Sequence, residues 1–162
     1  MTGQHQRLWT LECPEPLANF YRECVLGDQE AWEFVLAYHA QAHRVDDLVD
    51  EALSKVADRR EWAAEVLRVT RQEQVLWAMP FYRRHEQALH MATCLARSVY
   101  GNSAEWEHTT DEGLRVMGDT LRFAGNLVIE GCALLVGGYE HQRAVSKLLW
   151  AMSYKGHRGE GH

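Results

Sequence analysis

The stretch AYHAQAHRVDDLVDE, residues 37–51, puts two histidines and four carboxylates into fifteen positions. Imidazoles titrate near neutrality and ligate transition metals, and carboxylates are hard oxygen ligands for Mg²⁺. On a helix turning about 100° per residue, Val35, Ala42, Val49, Leu53 and Val56 form an apolar stripe. His39, His43, Asp46 and Asp50 fall in a sector roughly 60° wide directly beside it, and Trp32 and Leu36 extend that sector. Asp47 and Glu51 turn further toward solvent. Burying such groups without partners costs several kcal/mol. The four are therefore expected to meet arginines of neighbouring helices, a metal ion or a ligand held in a polar pocket.

A second polar stripe lies on the helix predicted from Asp111 to Val136. One face carries Leu114, Met117, Gly118, Leu121, Ala124, Gly125, Val128, Cys132 and Leu135, and Gly118 and Gly125 let another helix or a second copy approach closely. The other face carries Arg115, Asp119, Arg122, Asn126 and Glu130. From Phe123 onward the helix is apolar almost all round, so Asn126 and Glu130 need partners and form the natural second wall of a pocket. Asp119 can pair with Arg115 or Arg122 along the same helix. Cations for an anionic ligand are available at Arg83 and Arg84, after Pro80, and at Arg143, near a helix start that follows Gly137-Gly138.

The elements that must position these residues are helices. A short one is expected from about Leu17 to Leu26, ended by Gly27. Asp28 caps a long one running to about Val56, and Asp58 caps another from Arg59 to Ala78. Pro80 breaks or kinks the chain there. A helix then runs from Phe81 to Tyr100, followed by a loop over 102–110 and a helix capped by Thr110. The last covers Tyr139 to about Tyr154. No segment alternates with a period of two, so no sheet is expected. The prediction is an all-α bundle of five or six helices in one domain, residues 1–156, with a mobile tail over 157–162.

Composition narrows the function. The 162 residues are 46% hydrophobic, enough for a real core. Seventeen basic residues against 23 acidic ones leave a net charge of -6, which disfavours nucleic acid as a partner. No apolar run suggests a signal peptide or a membrane span. Cys13, Cys24, Cys94 and Cys132 are scattered without a CxxC pair, which fits free thiols in a reducing cytoplasm.

DDLVD, residues 46–50, resembles the DDxxD motif of trans-prenyl synthases and class I terpene synthases. That resemblance implies Mg²⁺ held by the aspartates and bridging to a diphosphate; Asn126 and Glu130 depart from the spacing of the family's second metal motif. Glu30 with Glu33 and Asp47 with Asp50 resemble the ExxE and ExxD motifs of all-α nucleotide pyrophosphohydrolases, although here both fall on one predicted helix. WEFVLAYHAQAHRVDDLVDE, PFYRRHEQAL and GGYEHQRAVSKLL are similar in texture to small all-helical accessory proteins of bacteriophages. That likeness implies capture of a nucleotide signal without breaking it.

Three readings follow. The first is a binding module for a phosphorylated, nucleotide-type small molecule. Its ligand contacts would come from His39, His43, Asp46, Asp50, Arg83, Arg84, Asn126, Glu130 and Arg143, with Trp32, Trp77 or Tyr82 stacking on a base. The second is a Mg²⁺-dependent phosphohydrolase with Asp46, Asp50 and Glu130 as metal ligands and His39 or His43 as general base. The third is a homo-oligomeric interaction protein without a ligand. Whether the chain is an enzyme stays open at this point.

Overall fold

The computed structural model describes residues 13–54 and 58–157, with the backbone alone at 51–54 and 156–157. All regular structure among the described residues is helical: α1 (Glu15–Cys24), α2 (Gln29–Ser54), α3 (Arg59–Ala78), α4 (Pro80–Arg84), α5 (Glu86–Trp106), α6 (Glu112–Leu121) and α7 (Asn126–His157). The predicted helix end at Val56 and most of the predicted tail lie outside the described residues. The described residues divide into two compact units: those within 13–23 and 27–86, and those within 24–26 and 87–157.

In the first unit α2 packs against α3 and α4, and α3 against α4. The Asp28 carboxylate accepts the Ala31 N–H at 3.0 Å and so starts α2. Asp58 does the same for α3, accepting from the N–H groups of Arg60 and Glu61. Met79 is extended and Pro80 opens α4, where its missing N–H costs nothing. The core centres on Phe34, whose ring lies 6.0 Å from both Phe81 and Tyr82. α1 is fastened to α2 by the Trp32 indole, which donates to the Ala18 carbonyl at 2.8 Å.

The second unit departs from the predicted boundaries. α5 runs through Gly101-Asn102 to Trp106, where a loop was expected. Ser103, buried, donates its hydroxyl to the Gly118 carbonyl at 2.6 Å, and a side chain at 118 would meet the Trp106 Cβ at 3.0 Å. This packing against α6 outweighs the roughly 1 kcal/mol helix penalty of a glycine. Asp111, not Thr110, caps α6, accepting the Leu114 N–H at 3.0 Å. The helix predicted from 111 to 136 is interrupted at 122–125 by a run of i→i+3 bonds.

α7 is itself bent at Gly138 (φ 81°, ψ -177°), a conformation essentially reserved for glycine. Asn126 Nδ2 donates to Ser153 Oγ at 2.8 Å, across 27 residues. A straight helix would separate them by about 40 Å, so the arms 126–137 and 139–157 double back as a hairpin. Gly137 makes room at the corner, because a Cβ there would lie 2.4 Å from the His141 ring. That ring is held in place by donating Nε2–H to the Cys24 carbonyl at 2.7 Å. Along α5, the Ala92 methyl would make ordinary van der Waals contact, at 3.9 Å, with a side chain placed at Gly131 of the first arm. Cys13, Cys24, Cys94 and Cys132 are free thiols, and burial alone pushes the Cys132 thiol up. No single helix among the described residues is long and apolar enough to cross a membrane.

Candidate functional site

The predicted residues divide between the units, with His39, His43, Asp46, Asp50, Arg83 and Arg84 in the first and Asn126, Glu130 and Arg143 in the second.

On α2, the His39 and His43 rings lie 4.4 Å apart, edge to face. Residues four apart on a helix stand one above the other, so this contact follows from spacing. The second contact does not: His39 Nδ1 is hydrogen-bonded to the phenol of buried Tyr21 on α1, at 2.8 Å. Burial pushes the His39 imidazole down from 6.5 to about 4, and the neighbouring His43 adds to the drop. At neutral pH the ring is therefore uncharged. It offers hydrogen bonds to a polar ligand and supplies no cation to a phosphate. Its basicity is also lower than a general base working near neutrality needs.

His43 is exposed, Asp46 is half-buried and Asp50 is exposed. The predicted inward face thus narrows to His39 and Asp46, both half-buried. Arg84 is engaged within its own unit, 3.0 Å from Glu30 and 4.0 Å from Asp28, with its guanidinium over the Phe81 ring. Arg83 is exposed. Of the aromatic residues proposed to stack on a base, Tyr82 is buried, Trp32 carries the Arg22 guanidinium 5.0 Å above its ring, and Trp77 is exposed.

In the second unit Glu130 is buried, yet neither of its partners is a cation. Oε1 accepts from Gln142 Nε2 at 2.9 Å and Oε2 accepts from the Trp150 indole at 3.0 Å. Both donors come from the far arm of the hairpin, as does Ser153, the partner of Asn126. The polar pair that sequence periodicity assigned to a pocket wall clasps the two arms of α7. Arg143 is exposed and lies over the Tyr139 ring. Asp119 pairs with Arg122 at 3.9 Å on the surface.

Among the described residues no three His, Cys, Asp or Glu side chains come together as a metal-binding group. Asp46 and Asp50 belong to a different unit from Glu130, the third ligand proposed for Mg²⁺. Periodicity also passed over Tyr21 and Gln41. Gln41 is almost fully buried and its amide nitrogen has no hydrogen-bond partner. Its place on the core side of α2, close to the buried Ala40 and Ala37, was the available signal.

In comparison with known proteins, the chain matches no family model, no curated protein and no solved structure.

Proposed function

We propose that the chain is a helical interaction protein that associates with copies of itself through its second unit. The observation supporting this is the amount of large apolar surface that the unit leaves in water. Met91 and Leu95 on α5, Leu114 and Met117 on α6, and Leu148 and Met152 on α7 are all exposed, each pair at one-turn spacing. Each pair forms an apolar row on its own helix, and contiguous apolar surface on a soluble protein marks an interaction site. On α5 the exposed row Ala88, Met91, Leu95 and Ser98 follows the 3-4-3 spacing of a helix–helix seam and carries no charge. Such a row can face its own copy across a two-fold axis without apposing like charges. In sedimentation velocity the wild-type chain is expected to sediment as a dimer or larger, with Met91→Glu/Leu95→Glu shifted toward monomer by at least about tenfold in association constant. Circular dichroism should report unchanged helix content. A wild-type chain that remains monomeric at its highest soluble concentration would refute the reading.

A second reading is capture of a phosphorylated, nucleotide-type small molecule, and the uncharged, hydrogen-bonding His39 supports it. In the same unit Arg83 offers an exposed guanidinium for phosphate and Trp77 an exposed ring for a base. An accessory protein that withholds a nucleotide signal, as the phage resemblance implies, would work in this way in a reducing cytoplasm. Titration with a panel of nucleotides, with and without Mg²⁺, should reveal a ligand that weakens at least tenfold in Arg83→Ala and is recovered intact. Mg²⁺-dependent product formation, lost in Asp46→Asn, would point instead to the phosphohydrolase, with Asp46 and Asp50 on the metal. No response to any nucleotide would leave self-association standing alone.

A further inference from the structure

We propose that His39 and His43 form a two-imidazole chelate for a divalent transition cation of the Zn²⁺, Cu²⁺ and Ni²⁺ class. The argument begins with spacing. Two histidines four apart on a helix project from successive turns of one face. A histidine nitrogen binds Zn²⁺ at about 2.0–2.1 Å, so two imidazoles bound to one ion at 90–110° have ring centres roughly 4.5–5 Å apart. The observed ring centres of His39 and His43 stand 4.4 Å apart, close to that range.

The contact with Tyr21 supplies the second argument. Histidine ligands are commonly oriented by a hydrogen bond to the ring nitrogen that does not hold the metal. His39 Nδ1 is engaged at 2.8 Å by the Tyr21 phenol, itself buried, which leaves Nε2 as the ligating nitrogen. His43 is exposed, so an ion can reach the pair and complete its coordination with water. Imidazole donors select for late first-row cations over Mg²⁺. The site uses two protein ligands and does not depend on either functional reading above.

The test uses the full chain, stripped of metal with a chelator. Calorimetric titration with Zn²⁺ is expected to show a site that weakens at least tenfold in His43→Ala, a surface substitution that leaves the fold intact. Tyr21→Phe should weaken it by about tenfold, because the ring loses its orienting partner. Mg²⁺ should give no heat at this site. With Cu²⁺, electron paramagnetic resonance should show coupling to two imidazole nitrogens, falling to one in His43→Ala, and His90→Ala, at an exposed position on α5 in the second unit, should leave the spectrum unchanged. The proposal is overturned if the wild-type chain binds no Zn²⁺. Unchanged affinity and nitrogen coupling in His43→Ala would equally overturn it, because the metal would then sit on other histidines.

Discussion

Glu130→Ala is expected to lower the free energy of unfolding by about 3–5 kcal/mol, the largest effect anticipated for a single side chain here. The carboxylate is buried, and both oxygens accept hydrogen bonds from the opposite arm of the α7 hairpin. Truncation leaves the Trp150 indole and the Gln142 amide without acceptors and opens a void between the arms. A donor left unsatisfied in such a setting costs about 1–3 kcal/mol. Glu130→Gln tests the same point more finely. It keeps the shape but presents an NH₂ to one of two donors, and the expected loss is about 1–3 kcal/mol. Urea denaturation followed by circular dichroism measures both. A Trp150→Phe/Glu130→Ala double-mutant cycle should show coupling, since the residues share one bond. A loss below about 1 kcal/mol for Glu130→Ala would mean that the hairpin closes without its carboxylate clasp.

Acid is expected to destabilise the first unit through His39. The folded-state value lies at about 4 against 6.5 for a free imidazole. Above pH 6.5 the ring is neutral in both states and its contribution to stability is fully present. As the pH falls below 6.5 the unfolded chain takes up a proton that the folded chain resists, and stability is lost. The loss continues to about pH 4, where the folded ring also protonates, and then levels off. Its full size is about 3 kcal/mol. Urea midpoints measured from pH 7 to pH 4 in the presence of a chelator should fall more steeply for the wild-type chain than for His39→Gln. Carboxylates titrate over the acid end of the same range in both proteins, so the difference between the two curves isolates the histidine. Parallel curves would show that His39 is not held neutral by its surroundings.

Local chemistry made much of the first unit legible. Asp28 and Asp58 announce the starts of α2 and α3, and α3 ends at Ala78, before Pro80, because a proline disfavours helical geometry in the residue ahead of it. The contact between His39 and His43 needed only the helical period. The second unit was harder to read. Gly101-Asn102 carries the composition of a helix end, yet α5 continues because Ser103 and Trp106 have α6 to pack against. Asn126 and Glu130 were recognised as polar groups in an apolar helix that require partners. The partners, Ser153, Gln142 and Trp150, stand 12 to 27 residues away, and nothing local names them.

The sequence alone determined that this chain is helical, where most of its helices begin, and that α2 carries an unusual run of imidazoles and carboxylates. These properties depend on residues within a few positions of one another, through caps and the 3.6-residue period. Only the tertiary structure decided that Tyr21 engages His39, that Gly138 folds α7 onto itself, and that Glu130 is spent on closing that fold. Each of these depends on which distant side chain supplies a hydrogen bond in a space closed to water. That choice is made by packing, which no local spacing encodes.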